Sequence, residues 1–130
     1  MTRLRLSIAA ILLAALTGGP ALAADFSPEG LWEVSTGESR YRVSYCGEDG
    51  TLLCAKLTWL RADMRDAENA ALVNSNVVEG ARPVSENQWS GEVVYEGRSY
   101  SGTVTLISAN SMRLHSCAGI LCQSFELKRR

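Results

Sequence analysis

Histidine is almost missing from this 130-residue chain, and with it goes most of the proton chemistry that side chains perform near neutral pH. The single histidine, His115, is followed by Ser116 in an alternating segment, so in a strand their side chains point to opposite faces. That reads as an exposed strand residue. A nucleophile elbow of the form G-x-S-x-G, an H-E-x-x-H zinc motif and a glycine-rich phosphate loop are all lacking. Glu48 with Asp49, and Asp63 with Asp66, read as turn and cap residues rather than as two carboxylates facing one cleft. A protein that is not an enzyme and carries no cofactor is therefore expected.

Basic excess is lacking as well. Arg3 and Arg5 open an apolar leader; without them, 11 basic residues stand against 14 acidic ones. A nucleic-acid partner calls for a basic footprint, and a lipid surface for a polybasic cluster. The densest basic stretch is Lys128-Arg129-Arg130 at the end of the chain.

Long apolar runs are confined to that leader, where Leu6 to Leu16 follows the two arginines and precedes Pro20-Ala21-Leu22-Ala23. This is the pattern of an export signal cleaved before Ala24. The apolar run is about half of the roughly 20 residues that a spanning helix needs. Residues 1–23 are thus read as a signal peptide and 24–130 as one domain, expected to be a soluble monomer in the bacterial periplasm or outside the cell. At that length there is room for one modest core.

Period-two alternation dominates the remainder of the chain. Tyr41, Val43 and Tyr45 alternate with Arg42 and Ser44; Leu53, Ala55, Leu57 and Trp59 with Cys54, Lys56 and Thr58; Tyr100, Gly102, Val104 and Leu106 with Ser101, Thr103 and Thr105. Such segments are strands with one buried face. Further strands are expected at Gly30–Ser35, Asn76–Glu79, Gln88–Tyr95, Met112–Cys117 and Leu121–Lys128. Gly47-Glu48-Asp49-Gly50 and Glu96-Gly97-Arg98-Ser99 are short enough to join antiparallel neighbours. About eight strands and no βαβ spacing give an all-β, up-and-down antiparallel barrel. Between Arg61 and Val73, Asp63 is placed to cap one short helix carrying Met64, Ala67, Ala70 and Ala71.

The four cysteines form two local pairs, Cys46 with Cys54 and Cys117 with Cys122. Four cysteines allow three connectivities. If Tyr41, Val43 and Tyr45 face inward, Cys46 and Cys54 share the outer side of one hairpin; Met112, Leu114, Phe125 and Leu127 inward do the same for Cys117 and Cys122. Local pairing is favoured, each staple contributing roughly 2 to 3 kcal/mol in the chain-entropy model. A zinc site fits less well, because seven residues separate Cys46 from Cys54 and an exported thiol pair is oxidised. No metal is expected.

Several of these pieces occur together, in order: Gly30-Leu31-Trp32, the Cys46/Cys54 hairpin followed by Leu57-Thr58-Trp59-Leu60, Trp89-Ser90-Gly91 before Tyr95, Gly97-Arg98-Ser99-Tyr100-Ser101-Gly102, and Cys117-Ala118-Gly119 with Cys122 and Arg129. In this the chain resembles domain of unknown function 2147, a family of small exported bacterial proteins of uncharacterised role. The family's longer Asp-Pro turn between the tyrosines matching Tyr95 and Tyr100 is missing, and Leu127 stands where the family tends to carry tryptophan. A looser resemblance is to the calycins, the lipocalin-like barrels. There, a Gly-x-Trp on the first strand packs against an arginine near the barrel's end, which implies closure by Trp32 and Arg129. A guanidinium over an indole contributes roughly 0.5 to 2 kcal/mol.

Eight strands either fill their interior with side chains or leave room for one small molecule. The aromatics expected inside are Trp32, Tyr41, Tyr45, Trp59, Trp89, Tyr95, Tyr100 and Phe125. Tyr41, Tyr45, Trp59 and Tyr95 are the first candidates to contact a small apolar or amphipathic ligand. The alternative is a filled barrel that serves as a structural or interaction module for an envelope protein. Residues 61–87 make a long connection, as expected of a segment lying over a barrel mouth.

Overall fold

Alternating segments joined by turns too short for a crossover can only fold back on their neighbours, and strand after strand they form a meander. The computed structural model describes residues 26–95 and 97–130. The expected signal peptide lies outside the described residues. Eight strands succeed one another: β1 (Gly30–Val34), β2 (Ser39–Cys46), β3 (Leu52–Leu60), β4 (Asn76–Ser85), β5 (Gln88–Tyr95), β6 (Arg98–Ser108), β7 (Ser111–Ala118) and β8 (Leu121–Arg129). Each pairs antiparallel with the next, and β8 returns to β1, closing the barrel.

The middle connection is shorter than the sequence suggested, because β4 runs to Ser85 rather than ending at Glu79. What remains holds a single 3-10 turn (Ala62–Met64) and the helix α1 (Ala67–Leu72). Asp66, not Asp63, caps α1, accepting a hydrogen bond from the Asn69 backbone N–H at 2.7 Å. Asp63 is instead held by the Arg61 guanidinium through two bonds of 2.6 and 2.8 Å. Met64, Leu72 and Val73 pack against the core, anchoring the segment.

Irregularities in two strands, β3 and β4, decide which side chains face inward. Tyr41 pairs with Leu57 while Arg40 pairs with Trp59, so Thr58 is an extra residue in β3. Such a bulge inverts the alternation beyond it. Leu53, Ala55 and Leu57 are buried, and the next buried position is Leu60. In β4 the register against β3 gains one residue at Val77 and another between Val78 and Ala81, where Gly80 has a φ of +70° that favours glycine. Val77, Val78 and Ala81 are consequently all buried.

One end of the barrel is sealed. Trp32 is fully buried against the chain that leads into β1, its Nε1 donating to the Pro28 carbonyl at 2.8 Å. The Arg129 guanidinium lies 4.4 Å from the Trp32 ring centroid. Its nitrogens donate to the carbonyls of Ala109, Glu29 and Ser27 at 2.7, 2.6 and 2.5 Å, tying together the β6–β7 turn and the entry to β1. Gly30 makes this approach possible: a Cβ there would stand 2.8 Å from an Arg129 nitrogen, and its φ is +133°.

Removing this cap should be costly. Arg129→Ala is expected to destabilise the fold by about 2–3 kcal/mol, losing the ring contact and three charge-assisted bonds. It should appear as a lower urea midpoint with an unchanged slope. Arg129→Lys should recover little, since one ammonium cannot span three carbonyls. Just outside the cap, Glu33 accepts from Arg40 at 2.7 Å and from Arg130 at 2.8 Å. The hydrogen bond from Arg40 chiefly holds its carboxyl below the usual 4.5. Its contribution is therefore present above that value and lost as pH falls through the lowered one. Thermal melts from pH 6 to pH 3 should show an acid limb that is shallower in Glu33→Gln.

Candidate functional site

Parity along β6, β7 and β8 builds an interior that changes character from one end to the other. In register order away from the Trp32 cap, Met112 stands opposite Leu127, Leu114 opposite Phe125, Ser116 opposite Gln123 and Ala118 opposite Leu121. All eight line a cavity of about 340 Å³. Val43, Leu53, Ala55, Val78, Val93 and Val104 continue its apolar wall, and Arg98 and Tyr100 of β6 complete it on the polar side. Leu121 lines the cavity while 74% exposed, and Arg98, Ala118 and Gln123 are also exposed. The cavity therefore opens between the β5–β6 and β7–β8 hairpins, at the end opposite the sealed floor.

Small residues let the strands pack closely beside the cavity. Gly102 faces Gly91 on one side and Ser116 on the other. A Cβ on Gly102 would fall against Val93 Cγ2, and one on Gly91 would lie 2.9 Å from the Ala81 backbone. Beside the cavity, sharing Tyr41 and Val77 with it, a crevice of about 40 Å³ lies under the helical segment. Asn69, buried there, donates from Nδ2 to the Met64 carbonyl at 3.1 Å, fixing the 3-10 turn against α1.

Of the four aromatics expected to contact a ligand, the structure brings Tyr41 to the cavity. Its hydroxyl accepts a hydrogen bond from Ser39 Oγ at 3.0 Å. Trp59 is not in the wall: the extra residue at Thr58 turns it outward, where the Arg40 guanidinium stacks 4.1 Å from its ring centroid. Tyr45 sits near the end of β2 that lies away from the mouth, 41% exposed and outside the lining. Tyr95 ends β5 beside the mouth, and its side chain lies outside the described residues. Tyr100 and Phe125, expected inside only as part of the general aromatic set, do line the cavity.

A family model described as an uncharacterized protein conserved in bacteria, DUF2147, matches residues 30–129. The chain belongs to this family. No curated protein and no solved structure gives a significant match.

The histidine and the four cysteines of this DUF2147 protein lie outside the cavity lining. His115 is on the outer face of β7, Nδ1 2.8 Å from Ser124 Oγ and Nε2 3.5 Å from Cys117 Sγ. His115, Cys117 and Cys122 come within metal-ligand distance of one another, but both sulfurs are joined in the Cys117–Cys122 disulfide. Cys46 and Cys54 form the second disulfide. Both staples lie outside the barrel, at opposite ends of the meander. Arg98, Ser116 and Gln123 are the cavity residues that sequence reasoning passed over. Gln123 was legible as a polar residue on the inward parity of Leu121, Phe125 and Leu127, whereas Arg98 was absorbed into the turn.

Exposure separates the two disulfides chemically. Cys122 is exposed, while Cys54 is half-buried with its sulfur accepting from the Gly80 N–H. Exposed disulfides are the ones that exchange readily. Graded reduction with mass-mapped alkylation should thus open Cys117–Cys122 before Cys46–Cys54.

Proposed function

We propose that this protein is an exported, non-enzymatic binding protein that holds one small apolar or amphipathic molecule inside its barrel. The observation that carries this reading is the 340 Å³ cavity, closed at one end by Trp32 and Arg129 and open at the other. Cavities of this size, mostly apolar with a few convergent polar groups, suit single small ligands. Among the described residues, the lining has no histidine, cysteine or carboxylate, which supports binding over catalysis.

Export is supported by the leader pattern of residues 1–23 and by two disulfides, which persist in oxidising compartments. A free rather than membrane-embedded barrel is supported by charged outward positions such as Arg42, Lys56, Arg113 and Lys128, which would be costly against lipid. A second reading, a module that docks an envelope partner, draws on Ile120 and Leu121, 99% and 74% exposed at the tip of the β7–β8 turn.

Native mass spectrometry of protein taken from its own periplasm should show a co-purifying small molecule. In parallel, an anilinonaphthalene dye should brighten on binding the purified protein. Leu114→Trp, which fills the middle of the cavity, should weaken that signal about tenfold or more while leaving the melting temperature within a few degrees. A bare mass together with a dye that never brightens would sink the carrier reading.

A further inference from the structure

The cavity's polarity is uneven in a way that specifies more than its volume does. Apart from Tyr41, which pairs with Trp32 and accepts from Ser39, the wall near the floor is apolar: Val43, Leu53, Ala55, Val104, Met112 and Leu127. Polar lining on β6 to β8 collects toward the mouth, where Ser116 and Gln123 pair across β7 and β8 and Arg98 begins β6. Arg98 is the sole charged group lining the cavity among the described residues.

The other arginines near the two barrel ends are committed elsewhere. Arg40 and Arg130 hold Glu33, Arg61 holds Asp63, Arg113 holds Glu126, and Arg129 caps three carbonyls. Arg98 makes none of the ion pairs among the described residues. A guanidinium with no ion pair among the described residues, at the lip of an apolar cavity, has donors to offer an entering group, and its fork matches a carboxylate.

Building on the binding-protein reading, we infer that the ligand is a single-chain amphipathic anion of the fatty-acid type, its chain directed to the Trp32 floor and its carboxylate met by Arg98. Gln123 and Ser116 offer an amide and a hydroxyl one rung inside the mouth, suited to the polar end of the molecule. One cation balances one carboxylate. A doubly charged phosphate head would leave negative charge without a protein partner. The cavity is also too small for a second acyl chain beside the first, which excludes two-chain phospholipids.

The test compares ligands that share a ten-carbon chain and differ in the head: decanoate, 1-decanol, decyltrimethylammonium and decyl phosphate. Each is measured by displacement of the dye and by native mass spectrometry. Decanoate should bind about tenfold or more tighter than 1-decanol, with the cation weakest. Arg98→Ala should bring decanoate down to the level of the alcohol while leaving 1-decanol unchanged, and the melting temperature should not move, because Arg98 is exposed. Arg98→Lys should keep part of the preference, and added salt should erode it in the wild type.

Equal binding of decanoate and 1-decanol, or a decanoate affinity indifferent to Arg98→Ala, would overturn the anionic head while leaving the carrier reading intact. Tighter binding of decyl phosphate would overturn the carboxylate. Failure of all four chains to displace bound dye would overturn the acyl-chain ligand, whereas failure of the dye itself to bind would remove the carrier reading on which it rests.

Discussion

The guanidinium of Arg129 over the face of Trp32 is the contact on which the barrel's shape depends, because it joins the two strands that a meander leaves furthest apart in sequence. β1 is five residues long and cannot hold β8 by ladder bonds alone; its pairing with β8 spans Trp32 to Val34. Arg129 extends that seam by reaching past the end of the sheet to carbonyls of Ser27, Glu29 and Ala109. The contact also makes the two ends of the interior unlike. With one end plugged by a buried tryptophan, any entry must be through the other.

Where the floor is fixed by a stacked pair, the wall is shaped by two misregistrations. The additional residue at Thr58 removes Trp59 from the interior, and the one at Val77 brings Val77 and Val78 in together. Each exchanges bulk for smaller side chains. Gly91 and Gly102, facing one another across β5 and β6, let Ala81 and Val93 pack against the sheet beside the cavity. The outcome is a cavity wall in which valines and alanines stand among leucines, Met112 and Phe125, with no tryptophan among its described residues.

These same features mark the limit of what could be read from the sequence. Strand number, order and the outward cysteines arise from period two and short turns, whereas the pairing of Trp32 with Arg129 at the seam was implied by the resemblance to the calycins. Alternation carries no signal for a bulge, however, so Trp59 kept its expected inward face and Tyr45 was placed as though its strand continued deep into the barrel. The cap of α1 was misplaced by three residues because Asp63 and Asp66 present the same chemistry; the difference is that Arg61 claims Asp63. Arg98 was the least legible residue, since one exposed cation in a turn looks like solvent-facing decoration until the walls around it are known.

An apolar cavity costs stability, and the magnitude bears on why the barrel has the braces it does. At the cost found for dry cavities left by truncated side chains, 340 Å³ corresponds to about 8 kcal/mol, comparable with the whole stability of a small domain. That figure is an upper bound, because the mouth admits water to the polar zone around Ser116, Gln123 and Arg98. Two disulfides at about 2–3 kcal/mol each offset much of the remainder by restricting the unfolded chain without occupying the interior. Their position outside the barrel is what leaves the volume free. A bound ligand adds stability in proportion to the logarithm of its concentration over its dissociation constant. The staples act on this deficit by constraining the unfolded state, and the proposed ligand would act on it from the opposite side, by filling the native one.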